Sequence, residues 1–275
     1  MSQVTIIITS YNKEPYVKEA IDSCLNQTFK DFELLIIDDG STDNSTDIID
    51  SYSDNPLVSI IKQENKGVIY TRNRAIQEAK GEFILQLDGD DRLGKLFLEK
   101  TVPILVNDSK VGIAFCETEL IGEGKGVWDR GEYTLERQLT ANLIVITALF
   151  RKEDYDKTIG YNPVFNGGLE DWDFWLSIIE LGKEVVEVND VQFYYRIGFE
   201  SRNHSIKNGK EIKRFIFENH SKLYLDLGLD PVNLLWEIRK GEDVNFSLQV
   251  YKNSFEYKLG KLLLLPLRLT QKLFR

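Results

Sequence analysis

Short β-branched apolar runs alternate with amphipathic stretches along the first ninety or so positions of the chain. Residues 4–8 are apolar except for Thr5, the pattern of a strand buried on both faces. Over 16–24, Val17, Ala20, Ile21 and Cys24 recur at helical spacing. Residues 34–37 predict a second strand that runs straight into Asp38, Asp39 and Gly40. Ser41, Thr42 and Asp43 then offer N-caps for a helix over 45–52. A third strand is predicted over 58–61, a third helix over 67–79 and a fourth strand over 83–87, the last ending at Asp88, Gly89, Asp90 and Asp91. Strands alternating with helices in this way predict an α/β fold with a mostly parallel central sheet and helices on both faces.

The later pattern is less regular. A strand is predicted over 111–116, a loop with four glycines over 122–131 and an apolar β-rich run over 143–150. A helix follows over 171–181, two late strands over 185–188 and 191–195, and a further helix over 211–227. There is no internal repeat and no long linker.

Composition narrows the class. Of 275 residues, 42% are hydrophobic and 28% charged, enough apolar content for a sizeable core in a soluble protein. The net charge of −10 argues against nucleic acid as a partner. Two cysteines, Cys24 and Cys116, make no disulfide framework and suit a reducing cytoplasm. The opening MSQVTIIITSYN has no signal-peptide pattern, and no apolar run of about 18 residues predicts a membrane span. The end, EYKLGKLLLLPLRLTQKLFR, is instead basic and leucine-rich, with five Lys and Arg against Glu256 alone. Pro266 and the charges argue against a crossing. Two readings of 256–275 stand: peripheral contact with the inner face of an anionic membrane, or docking on its own domain or on a second subunit as a homodimer.

Candidate chemistry sits at strand ends. In a parallel sheet ligands bind beyond the carboxyl ends, and right-handed crossovers place those ends on one rim. Thr9, Tyr11 and Glu14 follow the first strand, Asp38 and Asp39 the second, and Asp88, Asp90 and Asp91 the fourth. Carboxylates crowded together resist burial as charges unless cations or hydrogen-bond donors neutralise them. Such oxygen ligands suit Mg²⁺ or Mn²⁺ with substrate phosphates. Each Asp-Gly step taken alone also reads as a turn. Residues 9–14 contain no glycine, so a dinucleotide fingerprint is absent there, and no P-loop occurs.

Three blocks, VTIIITSYNKEPYVKEAIDSCLNQTFKDFELLIIDDGSTDNS, KGVIYTRNRAIQEAKGEFILQLDGDD and GGLEDWDFWLSIIELG, resemble the family 2 glycosyltransferases, over roughly residues 3–198. The resemblance implies the GT-A fold and inverting transfer of a sugar from a nucleotide-sugar, here a UDP- or dTDP-sugar, to an acceptor hydroxyl on a glycan or lipid-linked molecule. It implies that Thr9, Tyr11 and Glu14 contact base and ribose, that Asp39 accepts from the imide N–H of uracil or thymine, and that Arg72 lies near the nucleotide. Asp88 and Asp90 match a DxD motif, with Asp90 as the direct metal ligand and Asp88 nearer the ribose. Asp171 matches the general base, with Glu170 as the alternative; Asp171 also reads simply as a favourable charge at a helix N-terminus. Trp172 and Trp175 are acceptor floor or core. The match weakens after Val191, where Arg196 or Arg202 could pair with phosphate. His204 reads either as a metal ligand or as an exposed loop residue, and His220 as structural. The domain reading that follows is a catalytic domain over 1–210, with a nucleotide-sugar half near 1–110 and an acceptor half near 111–210, and a helical extension over 211–275.

Two other functions are weighed against this one. A sugar-phosphate nucleotidyltransferase would need a glycine-rich, Arg- and Lys-bearing loop after the first strand, which is missing. A non-catalytic nucleotide-sugar-binding module would be expected to lose one of the carboxylates, and all are present.

Overall fold

The computed structural model describes residues 2–165, 168–198 and 209–227. The regular first half forms as its pattern predicts: β1 (Val4–Ser10), α1 (Val17–Leu25), β2 (Phe32–Asp38), α2 (Ser45–Asp50), β3 (Val58–Lys62), α3 (Val68–Glu78) and β4 (Phe83–Asp88). Every residue of β1 is buried, so the apolar run covers both faces of a central strand. β1 pairs in parallel with β2 on one side and β4 on the other. The register sets Ser10 opposite Asp38 and Thr9 opposite Asp88. Acidic strand ends far apart in sequence therefore share one edge of the sheet.

The second half adds β5 (Arg92–Leu93), α4 (Phe97–Asn107), β6 (Val111–Gly122), β7 (Gly126–Val127), α5 (Leu135–Gln138), β8 (Leu149–Arg151), α6 (Lys152–Tyr155), α7 (Glu170–Glu180) and β9 (Glu184–Ile197). Among the described residues one sheet runs β3-β2-β1-β4-β8-β6-β9-β5, with β7 paired to β6. The β3-β2-β1-β4 side is parallel, whereas β8 joins both β4 and β6 antiparallel. Two predicted late strands are one, β9, whose parallel pairing with β6 absorbs three register shifts as bulges. Of the apolar run 143–150, only its end is strand; the rest is buried without regular pairing. α4 has no counterpart in the sequence reading. It carries Pro103 and forms because Phe97, Leu98, Val102 and Leu105 face the core.

The predicted helix over 211–227 is two, α8 (Gly209–Asn219) and α9 (Ser221–Asp226). The chain divides into two compact units, 1–221 and 222–275. Cys24 and Cys116 are buried free thiols. Arg202, His204 and the basic segment 256–275 lie outside the described residues.

Candidate active site

The rim begins where β1 ends. Thr9 Oγ1 donates to Asp88 Oδ1 at 3.3 Å, and the Gly89 N–H donates to the Thr9 carbonyl. At the end of β2, Asp38 accepts from the Ser41 N–H at 3.0 Å and from Thr46 Oγ1 at 2.5 Å. Asp39 is 4% exposed. Its carboxylate accepts from Gln63 Nε2 at 2.6 Å and from the N–H groups of Lys66 and Gly67, each at 2.9 Å, at the start of α3. Three of about four lone-pair sites are thus taken, and one acceptor direction is left. Gly40 adopts φ 77°, and a Cβ there would meet the Asn65 amide nitrogen at 2.7 Å, so only glycine lets the β2 end close on this loop.

Lys13 completes the acidic corner. Its Nζ lies 2.5 Å from Asp90 Oδ2. Burial works against its charge, but Asp90, Asp88 and Asp91 overcome that and raise its pKa. Asp91 is 1% exposed and accepts from the Arg196 N–H through Oδ1 at 2.8 Å. Burial, then the charges of Asp90 and Asp88, push its pKa well above the usual carboxylate range. Arg196 donates from Nε to the Asp90 carbonyl at 2.8 Å and from Nη2 to Glu19 at 2.6 Å, with its guanidinium over the Tyr16 ring. It pins the acidic loop, and a phosphate would have to compete with Glu19 for it.

A buried bridge crosses from this rim to α7. Arg72, on α3 and 3% exposed, donates from Nη2 to both Asp88 oxygens, at 2.7 and 3.0 Å, and from Nη1 to Glu170 at 2.6 Å. Burial opposes its charge, yet Asp88 and Glu170 raise its pKa and hold it protonated. α7 opens after Leu169, a non-glycine residue at φ 64°, which turns Glu170 and Asp171 into the site. Asp171 is partly exposed. It accepts from Asn142 Nδ2 at 3.0 Å and from the Trp172 N–H at 2.9 Å. Burial and then the adjacent Glu170 raise its pKa to about 7, against the pull of Arg72.

The structure thus brings Thr9, Asp88, Arg72, Glu170 and Asp171 into one connected group, with Asp90 and Arg196 joined through the acidic loop. Asp39 sits beside it on the rim. Tyr11 is 45% exposed on the loop after β1. Glu14 is also exposed and accepts from Asn44, so it braces the start of α2. Trp172 and Trp175 are core, 3% and 0% exposed, and Trp172 Nε1 is spent on the Gln138 carbonyl. His220 is structural: buried, it lies 3.1 Å from Asp173 and from Glu180 of α7. Sequence reasoning missed Lys13 and Asn142. Lys13 had a signal, a basic residue in the loop between Tyr11 and Glu14; Asn142 had none.

A family model described as "Glycosyl transferase family 2" matches residues 5–166, more than half of the chain. A chondroitin synthase of Pasteurella multocida (strain Pm70) is 31% identical over 225 residues, which are 79% of this chain but only 23% of that synthase, so the chain spans under a quarter of its length. The Escherichia coli UDP-Glc:alpha-D-GlcNAc-diphosphoundecaprenol beta-1,3-glucosyltransferase WfaP is 29% identical over 217 residues, covering 72% of this chain and 78% of that one. Among solved structures, S. aureus TarS 1–349 in complex with UDP-GlcNAc superposes with a TM-score of 0.67 at 23% identity, covering 79% of this chain and 66% of that one. The fold is GT-A.

Proposed function

Since the chain belongs to glycosyl transferase family 2, we propose that it moves a sugar from a UDP- or dTDP-sugar to a hydroxyl of a glycan or lipid-linked acceptor, with inversion, in the synthesis of a cell-surface polysaccharide. The observation that carries this reading is the bridge from the acidic rim to α7. Asp88 at a strand end is tied through buried Arg72 to Glu170, beside a carboxyl, Asp171, poised near pH 7. A proton acceptor works best with a pKa close to the working pH. Glu170 is committed to Arg72, so Asp171 is the base that takes the acceptor's hydroxyl proton.

The donor lies on the rim. Thr9, Tyr11 and Glu14 face base and ribose, and Asp39 offers its remaining acceptor direction to the N3–H of uracil or thymine. The residues fit a divalent cation, because a cation is already drawn to the spot: the Lys13 ammonium lies against Asp90, in the field of Asp88 and Asp91. Among the described residues no three His, Cys, Asp or Glu side chains could hold a metal by themselves. That suits Mg²⁺ or Mn²⁺, which bind through one or two carboxylates and complete their shell with phosphate oxygens and water. Asp90 and Asp88 would hold it. When bound, the metal offsets the negative charge that grows on the departing diphosphate. Arg72 fixes the Asp88 carboxylate, and Arg196 fixes the backbone of Asp90.

No helix among the described residues is long and apolar enough to cross a membrane. The basic, leucine-rich segment 256–275 supports peripheral contact at the inner membrane face, where a lipid-linked acceptor would lie. Co-sedimentation with anionic vesicles that survives removal of 256–275 would contradict that contact.

The donor assignment is tested by thermal shift with UDP, dTDP, GDP and CDP and their sugars, with and without Mn²⁺. A uridine or thymidine compound should raise Tm most, and further with Mn²⁺, by mass action on the folded state. Equal shifts across the four bases would remove it.

A further inference from the structure

Among the described residues three cations border the acidic corner, and they are held in different ways. Arg72 is buried and divided between Asp88 and Glu170. Arg196 is spread over the Asp90 carbonyl, Glu19 and the Tyr16 ring. Neither can turn away without breaking several contacts at once. Lys13 differs. Its ammonium meets Asp90 Oδ2 at 2.5 Å, and the two side chains are 34% and 26% exposed, so the pair is open to solvent. The charges of Asp88 and Asp91 add to the field that draws the ammonium there.

The backbone of Lys13 is fixed, while its arm is not. Its N–H donates to Ser45 Oγ at 2.8 Å. Its carbonyl accepts from the N–H groups of Tyr16 and Val17, at 2.9 and 2.8 Å, at the start of α1. Asn12 before it stands at φ 52°, a left-handed turn that asparagine tolerates, and accepts from the Thr42 N–H through Oδ1 at 2.8 Å. None of these bonds uses the Lys13 side chain. A compact charge is thus carried on a flexible four-carbon stem from an anchored point.

Asp90 is also the carboxylate proposed above to hold a divalent cation. An ammonium and a divalent cation compete for it, because like charges repel most strongly at contact distance. A diphosphate changes that balance by bringing negative charge of its own. Oxygens on neighbouring corners of an octahedral Mg²⁺ or Mn²⁺ shell lie about 3 Å apart. A phosphate oxygen that shared the ion with Asp90 would therefore lie within a short swing of the Lys13 ammonium, and lysine pairs with phosphate as a point charge. We infer that Lys13 is an exchangeable counter-ion, which holds Asp90 in the donor-free chain and passes to the diphosphate when the donor arrives with its metal. The inference rests on the glycosyltransferase reading above and adds that Lys13 couples metal loading to donor binding: it opposes the bare metal and favours the metal-bound nucleotide.

The test compares the native full chain with Lys13→Met and Lys13→Arg in two titrations. Mn²⁺ alone is followed by electron paramagnetic resonance, and UDP at saturating Mn²⁺ by calorimetry. Lys13→Met removes the charge but keeps an arm of similar length. It should bind Mn²⁺ alone about tenfold tighter and UDP about tenfold more weakly. Lys13→Arg keeps the charge and should recover most of both native affinities. Effects of opposite sign are the signature, since a lysine that only braced the loop would move both affinities the same way. An unchanged affinity of Lys13→Met for either probe, or both affinities moving in one direction, would overturn the exchange. Failure of the underlying reading looks different: if UDP does not bind the native chain with or without Mn²⁺, the nucleotide site itself falls, and the exchange with it.

Discussion

The two sides of the site handle charge in opposite ways. On the rim built by β1, β2 and β4, most carboxylates are matched to designated donors and cations. Asp38 and Asp39 accept from backbone and side-chain donors, Asp88 faces Arg72, and Asp90 faces Lys13. Asp91 behind them is the exception, since burial and two charged neighbours favour its neutral form. On the α7 side, Glu170 takes the cation and Asp171 is left with two hydrogen bonds, a partly buried setting and a like charge beside it. One side pairs most of its carboxylates with fixed partners, and the other holds a carboxyl that can gain or lose a proton near neutral pH. That division suits a reaction in which a charged donor is held still while an acceptor hydroxyl is deprotonated.

Breaking the rim should have the largest effect. With Asp90→Ala, transfer should fall to background and UDP binding should no longer respond to Mn²⁺, while far-UV circular dichroism stays native. Full transfer in the presence of EDTA would contradict the rim's proposed metal role.

Breaking the other side should slow chemistry and spare donor binding. Asp171→Asn keeps the shape but removes the proton acceptor, so kcat should fall by roughly 10²–10⁴ with little change in UDP affinity. Glu170→Gln should act mainly on stability, because it unbalances a buried ion pair whose loss costs about 3–5 kcal/mol. A folded Glu170→Gln protein that is inactive, beside an active Asp171→Asn, would exchange the two roles.

The finest distinction lies within the rim. Asp39→Ala should weaken UDP by about 1.5–3 kcal/mol, the usual range for a hydrogen bond to a charged group, and leave CDP nearly unaffected. Equal affinity of the native chain for UDP and CDP would contradict the role of Asp39.

The same two sides differ in how far they could be read before the structure. The rim was legible because topology does the placing: once residues 4–8, 34–37 and 83–87 are parallel neighbours, Asp38, Asp39, Asp88 and Asp90 must share an edge. What these carboxylates touch was not legible. Arg72 was expected near the nucleotide, but its guanidinium is shared between Asp88 and Glu170, a partner 98 positions away. The α7 side depends on such contacts throughout. Asn142 reaches Asp171 from a stretch with no regular pairing. Whether Trp172 and Trp175 faced substrate or core depended on packing, because helical spacing does not say which face is covered. Bulges against β6 let β9 run as one strand through Asn189-Asp190, where two separate strands were predicted.

The most direct test of the division between the two sides is the pH dependence of UDP release from the donor that the thermal screen identifies. The base must be unprotonated, so the native rate should rise with pH through an apparent pKa of about 7 and level off above it. In Asp171→Asn that acidic limb should disappear, leaving a low, flat profile. A limb of unchanged midpoint in Asp171→Asn would show that another group takes the proton.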